Sequence, residues 1–262
     1  MKCMLRTMWA LMMCAAVAGA FGASQRDRPI AEGHLIAGVE GRMVYDPNEM
    51  QWAFVPNEPI TDGKGHLSAD EKTALLACSV LEQMIRLAGE QKAMDVRLWA
   101  MATEYRGHNY LFSLYFLPMR EAAAEPLKPD PSQSDETEET QNESILPSEI
   151  LEMMQRNRAP DLRRLDELVV VSTDRNLIHR TGMIERSGES FAFRPDAFGQ
   201  NVAEASYRLL PCRTLEAIQR TLQRTPGRQR YVVSGVVTEF EGRTYLLPRR
   251  AVRTYTHGNF TP

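Results

Sequence analysis

The sequence predicts a β-rich α+β fold: two tandem copies of a small OB-like β-barrel or sheet module, each with one inserted helix, joined by a disordered acidic linker. Three observations predict it. First, Leu75-Leu76-Ala77-Cys78-Ser79-Val80-Leu81-Glu82 returns 134 residues later as Leu209-Leu210-Pro211-Cys212-Arg213-Thr214-Leu215-Glu216, and Thr103-Glu104-Tyr105-Arg106-Gly107 returns 135 residues later as Thr238-Glu239-Phe240-Glu241-Gly242. Two blocks at a near-constant offset mark an internal repeat, and the repeat decides the reading of the whole chain. Second, runs rich in β-branched and aromatic residues surround each block. Third, the connector from Glu121 to Ser144 has only one bulky apolar residue.

The copies align over much of their length. Positions 75 to 86 and 209 to 220 share six of twelve residues, and 103 to 111 and 238 to 246 share five of nine. Upstream, Trp52-Ala53-Phe54-Val55-Pro56-Asn57 reads like Phe191-Ala192-Phe193-Arg194-Pro195-Asp196. The first copy therefore spans 30–118 and the second 170–256. The offset drifts from 139 to 135, as insertions confined to loops would make it do.

Within a copy the elements read as hairpin, helix, hairpin. His34 to Val44 and Gln51 to Val55 flank the turn Asp46-Pro47-Asn48, and Leu177 to Glu185 and Ser190 to Arg194 flank Ser187-Gly188. For the helix of the first copy, Ser68-Ala69-Asp70-Glu71 has the form of a capping box. In the second, Pro211 suits a first helical turn and Pro226-Gly227 a stop. The last hairpin is the best defined. Val96 to Tyr105 and Tyr231 to Phe240 lead into Tyr105-Arg106-Gly107-His108 and Phe240-Glu241-Gly242-Arg243, where Gly107 and Gly242 supply the positive φ of a tight turn. Tyr110 to Phe116 and Tyr245 to Leu247 return as partner strands. A small barrel, a β-sandwich and an open α+β sheet all accommodate this order, the OB-like barrel being the nearest known type.

Residues 1–23 read as a secretory signal peptide: Lys2 and Arg6, a short apolar run from Met8 to Ala18, then small residues. The run is too short to span a bilayer. Export to the periplasm or surface of a bacterium follows as the expected localisation. The linker, 119–146, holds much of the acidity and carries only Leu127 as a bulky apolar residue between Glu121 and Ser144, so burial cannot offset its ordering entropy. A short amphipathic helix is expected over 147–160. A cut in the linker is expected to leave two independently folded fragments.

Charge is divided unevenly. Residues 24 to 150 hold 11 Lys plus Arg against 22 Asp plus Glu, a net of −11, whereas 151 to 262 hold 18 against 12, a net of +6, and all 18 are arginine. Planar guanidinium forks suit phosphate- or carboxylate-rich polymers. Arg228 and Arg230 before one strand, and Arg243 in the following turn, are the candidate polyanion contacts.

Once the signal is removed only Cys78 and Cys212 remain, at equivalent positions. An oxidising compartment permits a disulfide between them. The stronger reading is core packing: Cys78-Leu81-Ile85-Ala88 and Cys212-Leu215-Leu222 each trace one helical face, on which cysteine packs as a small apolar residue. Two cysteines without nearby histidines do not make a zinc site. His34 and His179 both fall near the first strand of their copies. No nucleophile elbow, zinc-protease motif, dinucleotide fingerprint or Walker loop is present, so no catalytic, cofactor or metal residue is assigned.

Val233-Ser234-Gly235-Val236-Val237-Thr238-Glu239-Phe240-Glu241-Gly242-Arg243-Thr244-Tyr245-Leu246-Leu247, preceded by Leu209-Leu210-Pro211-Cys212, resembles a motif of exported β-repeat proteins of planctomycete-type bacteria. The resemblance covers the second copy well and the first loosely, because Met101-Ala102-Thr103 stands where the second copy has Gly-Val-Val-Thr. It implies export and a β-rich module and no particular chemistry. The expected function is that of a non-catalytic envelope scaffold or interaction module, partnered by another envelope protein. The other reading is a binding module for an acidic polymer, an anionic glycan or a nucleic acid, on the arginine-rich second copy.

Overall fold

A computed structural model describes residues 28–120, 159–160, 174–188, 190–196, 205–224 and 229–254. The signal segment, most of the linker and all but the last two residues of the expected short helix lie outside the described residues.

The first unit comprises β1 (Leu35–Asp46), β2 (Gln51–Pro56), the short pair β3 (Ile60–Thr61) and β4 (His66–Leu67), β5 (Thr73–Leu75), α1 (Ser79–Ala88), β6 (Ala93–Tyr105) and β7 (His108–Arg120). Alternating burial along β6, with Met94, Val96, Leu98 and Ala100 inward, is what a half-buried strand requires. The sheet runs β5-β2-β1-β6-β7, and β5 pairs again with β7 in parallel, Leu75 opposite Leu111. β7 extends two residues past the expected end of the copy at 118. Met119 and Arg120 pair with the two-residue strand β8 (Ala159–Pro160), so the expected short helix does not include its last two residues.

The second unit follows the same order: β9 (Arg175–Ser187), β10 (Ser190–Pro195), β11 (Tyr207–Leu209), α2 (Arg213–Arg224), β12 (Arg230–Phe240) and β13 (Arg243–Thr254). Its strands close into a barrel in the order β10-β11-β13-β12-β9, with β11 parallel to β13. Detailed geometry corresponds between the units. Leu76 N–H donates to Leu111 O and Leu210 N–H to Leu246 O, both at 2.9 Å. Gly41 and Gly182 each lie where a Cβ would come within 2.3 Å of a carbonyl oxygen, Val55 O or Arg194 O, with the buried ring of Phe54 or Phe193 also pressing on the site. β6 with β7 and β12 with β13 each carry a register shift, between Trp99 and Ala100 and between Ser234 and Gly235.

Both last hairpins turn in two residues, and both central residues have positive φ: Arg106 (+53°) with Gly107 (+79°), Glu241 (+50°) with Gly242 (+69°). This is the turn whose twist matches the flanking strands. Two expectations are corrected. α1 does not begin at the Ser68 capping box, since Asp70 takes φ +62° and Thr73–Leu75 is the strand that meets both β2 and β7. Pro211 is not in the first turn of α2 either; it precedes the cap, Cys212, and the expected stop at Pro226-Gly227 lies outside the described residues.

One hydrophobic core runs through both units. It joins Phe54, Val80, Met84, Leu98 and Phe112 of the first to Phe193, Leu215, Ile218, Val233 and Leu246 of the second. The expectation of two separate cores is not met, because the helix of each unit packs against the hairpin of the other as well as its own sheet, α1 on β12 and α2 on β6.

Candidate functional site

The two thiols sit at the helix starts. Cys78 Sγ accepts from Leu81 N–H and Cys212 Sγ from Leu215 N–H, each at 3.4 Å, so each cysteine caps one of the four N–H groups that a helix leaves without an internal partner. The same thiols donate to the last strand, Cys78 to Ser113 O at 3.6 Å and Cys212 to Pro248 O at 3.4 Å. They are free, buried and each held within its own unit, so the bridge between Cys78 and Cys212 is not formed. Burial pushes both thiols up to about 12, which leaves them protonated and poor nucleophiles at neutral pH.

Between the helix starts and the hairpin turns the units exchange hydrogen bonds reciprocally. Ser79 N–H, the first of α1, donates to Thr238 Oγ1 at 2.9 Å, and Thr103, at the corresponding position, donates to Pro211 O at 3.1 Å, just before α2. Glu82 accepts the turn N–H of Glu241 at 3.1 Å, and Glu216 accepts the turn N–H of Arg106 at 3.2 Å. A carboxylate placed before the first strand of each unit reaches the opposite helix. Asp174 accepts from the Ser79 hydroxyl at 2.9 Å, and Glu32 accepts from Arg213 N–H at 3.3 Å and from Glu104 N–H at 2.6 Å. Negative charge at a helix N-terminus is favourable. Tyr105 OH donates to Gln219 Oε1 at 3.0 Å to complete the seam.

Glu32 is half-buried there. Desolvation raises its pKa above the usual carboxylate value, against the lowering effect of its two backbone donors. Among the described residues no group of three or more His, Cys, Asp or Glu is placed to hold a metal ion.

The candidate arginines are not brought together. β12 and β13 pair with Arg230 opposite Thr254 and Phe240 opposite Arg243, so Arg230 and Arg243 stand at opposite ends of the hairpin, roughly 30 Å apart at about 3.3 Å per residue. Convergence on one edge is therefore lost. Arg230 also pairs with Asp196, and Arg228 lies outside the described residues. The histidines do not pair by position: His179 (φ +47°) occupies the irregularity of β9 that matches Gly38 (φ +67°) in β1, and His34 precedes β1.

The sequence does not show which residues meet across the seam, but polar identities between the copies mark several of them. Thr103 and Thr238, Glu82 and Glu216, and Cys78 and Cys212 are identical between the copies. Identity at a polar position is not needed to repeat an apolar core; here the two glutamates make the same bond to the opposite turn, the two cysteines cap their helices alike, and the two threonines bond the start of the opposite helix, one as acceptor and one as donor. No helix among the described residues is long and apolar enough to cross a membrane. No protein-family model, curated protein or solved structure matches this chain.

Proposed function

We propose that the protein is an exported, non-catalytic envelope scaffold, built from two OB-like modules locked together. The strand order with its parallel closing pair, and one helix between the third and fourth barrel strands of each unit, support the OB-like reading. The observation that carries the functional reading is where the polar groups are used. Ser79, Thr103, Thr238, Glu82, Glu216 and Glu32 are engaged across the seam, and the two thiols are protonated caps, so the interior serves architecture and recognition falls to the exterior. Affinity capture from a cross-linked envelope, read by mass spectrometry, should recover a defined protein partner. Recovery of none, with turnover of a soluble substrate, would remove the scaffold reading.

The second reading, an acidic polymer on the second unit, rests on the net charge of +6 across residues 151 to 262. Its contacts would be spread over β12 and β13 and not focused at one edge. Heparin titrated at low salt should then bind weakly and with a steep salt dependence; absence of binding at millimolar concentration leaves the scaffold alone.

A further inference from the structure

The seam has the logic of a symmetric dimer interface, in which residue i of one partner meets j of the other and j meets i. Glu82 of the first unit meets the turn of the second at Glu241, and Glu216 of the second meets the turn of the first at Arg106. Each unit therefore carries both halves of the contact, a helix-borne carboxylate and a turn N–H. The side chains on those turns differ in sign. Between the units, Glu216 accepts from the backbone of a turn bearing Arg106, whose guanidinium lies over the Tyr105 ring, and Glu82 accepts from the backbone of a turn bearing Glu241, so the turn residue is opposite in sign to the accepting carboxylate at one contact and like it at the other.

We propose that the chain is a fused dimer whose first unit is complementary to itself, so that the partner this face takes in trans is the first unit of a second copy of this chain. Two first units would place Glu82 opposite Arg106 twice, with both turn N–H groups still accepted and Thr103 available to accept from Ser79 N–H as Thr238 does. Two second units would place Glu216 opposite Glu241 twice, four carboxylates at two contacts. Like charges so placed select against a partner. The preference concerns the seam, independently of what the exterior binds.

The test uses the full chain with a protease site inserted within 121–158, cleaved after folding and examined by native mass spectrometry. The halves should remain together at 1:1, and on dilution and re-concentration first-half homodimers should form while second-half homodimers do not. Glu241→Arg keeps the turn N–H and makes the second unit resemble the first; it should strengthen the 1:1 complex and allow second-half homodimers to appear. Only monomeric halves, a 1:1 complex with no first-half homodimer, or second-half homodimers unaffected by Glu241→Arg would each overturn the proposal.

Discussion

The two units carry the same strand order with different tolerances, and the difference shows which parts of the module are fixed. At the close approach under the first hairpin both need glycine, Gly41 and Gly182, because backbone oxygen fills the space a Cβ would take. At the register shift of the last hairpin they diverge: the first unit has Ala100, whereas a Cβ on Gly235 would meet Leu247 O at 2.2 Å. At the irregularity of the first strand the first unit has Gly38 under the Trp99 ring and the second has His179, whose N–H donates to Ser234 Oγ at 3.0 Å. Barrel closure and the seam are common to both; the strand irregularities are solved separately.

The strongest way to break this comparison is at the shared glycines. Gly41→Ala and Gly182→Ala should each cost around the top of the ordinary overpacking range, about 3 kcal/mol in denaturant unfolding, since the obstructing atom is backbone and cannot rotate away. Equal costs would support matched units. A neutral Gly182→Ala would mean that the second barrel is looser than the first.

A smaller effect separates the two threonines. Thr238→Val leaves Ser79 N–H, buried at the start of α1, without its acceptor, which should cost about 1 to 3 kcal/mol. Thr103→Val deprives Pro211 O of a donor and should cost less, because an under-satisfied carbonyl is better tolerated than an orphaned N–H. Hydrogen exchange at Ser79 in the Thr238→Val chain reads the effect from the unit that was not altered. An unchanged Ser79 rate would place the two units apart.

The smallest expected effect is in pH dependence. Because the folded-state pKa of Glu32 is raised, its contribution to stability is full below the unfolded value and is lost as pH rises through the folded one. Glu32→Gln keeps an oxygen acceptor and should flatten the stability profile just above pH 4.5. Asp62 acts oppositely: the N–H groups of Gly65, Ala31 and Lys64 hold its carboxylate down to about 2, so its contribution is present above 3.8 and is lost as pH falls toward 2. A slope above pH 4.5 that survives Glu32→Gln would assign it elsewhere.

Much of the module was legible in the sequence. Richness in β-branched and aromatic residues located the strands of the second hairpins, although of β13 only Tyr245 to Leu247, and a two-residue loop ending in glycine located their turns, because these signals are local. The start of α1 was not legible. A thiol is a rare cap, and the serine-glutamate pair at 68 to 71 imitates the commoner one. The seam was illegible for a different reason: its bonds join residues more than a hundred positions apart, such as Ser79 with Thr238, and the linker's composition invited a reading of separation where the folded chain has one continuous core. The arginines failed on register, since adjacency in a hairpin turns on which end of the strand each residue occupies.

The central claim is that the two units share a core and unfold together, and the tryptophans provide a direct test. Trp52 and Trp99 both belong to the first unit, and in a Trp9→Phe chain their fluorescence reports on that unit alone. Leu246 is fully buried in the second unit, and Leu246→Ala should cost about 2 to 5 kcal/mol. In urea, the fluorescence midpoint of the Leu246→Ala chain should fall together with the circular-dichroism midpoint, in a single transition. A fluorescence midpoint that stays at its original value while circular dichroism shows an earlier transition would contradict the shared core.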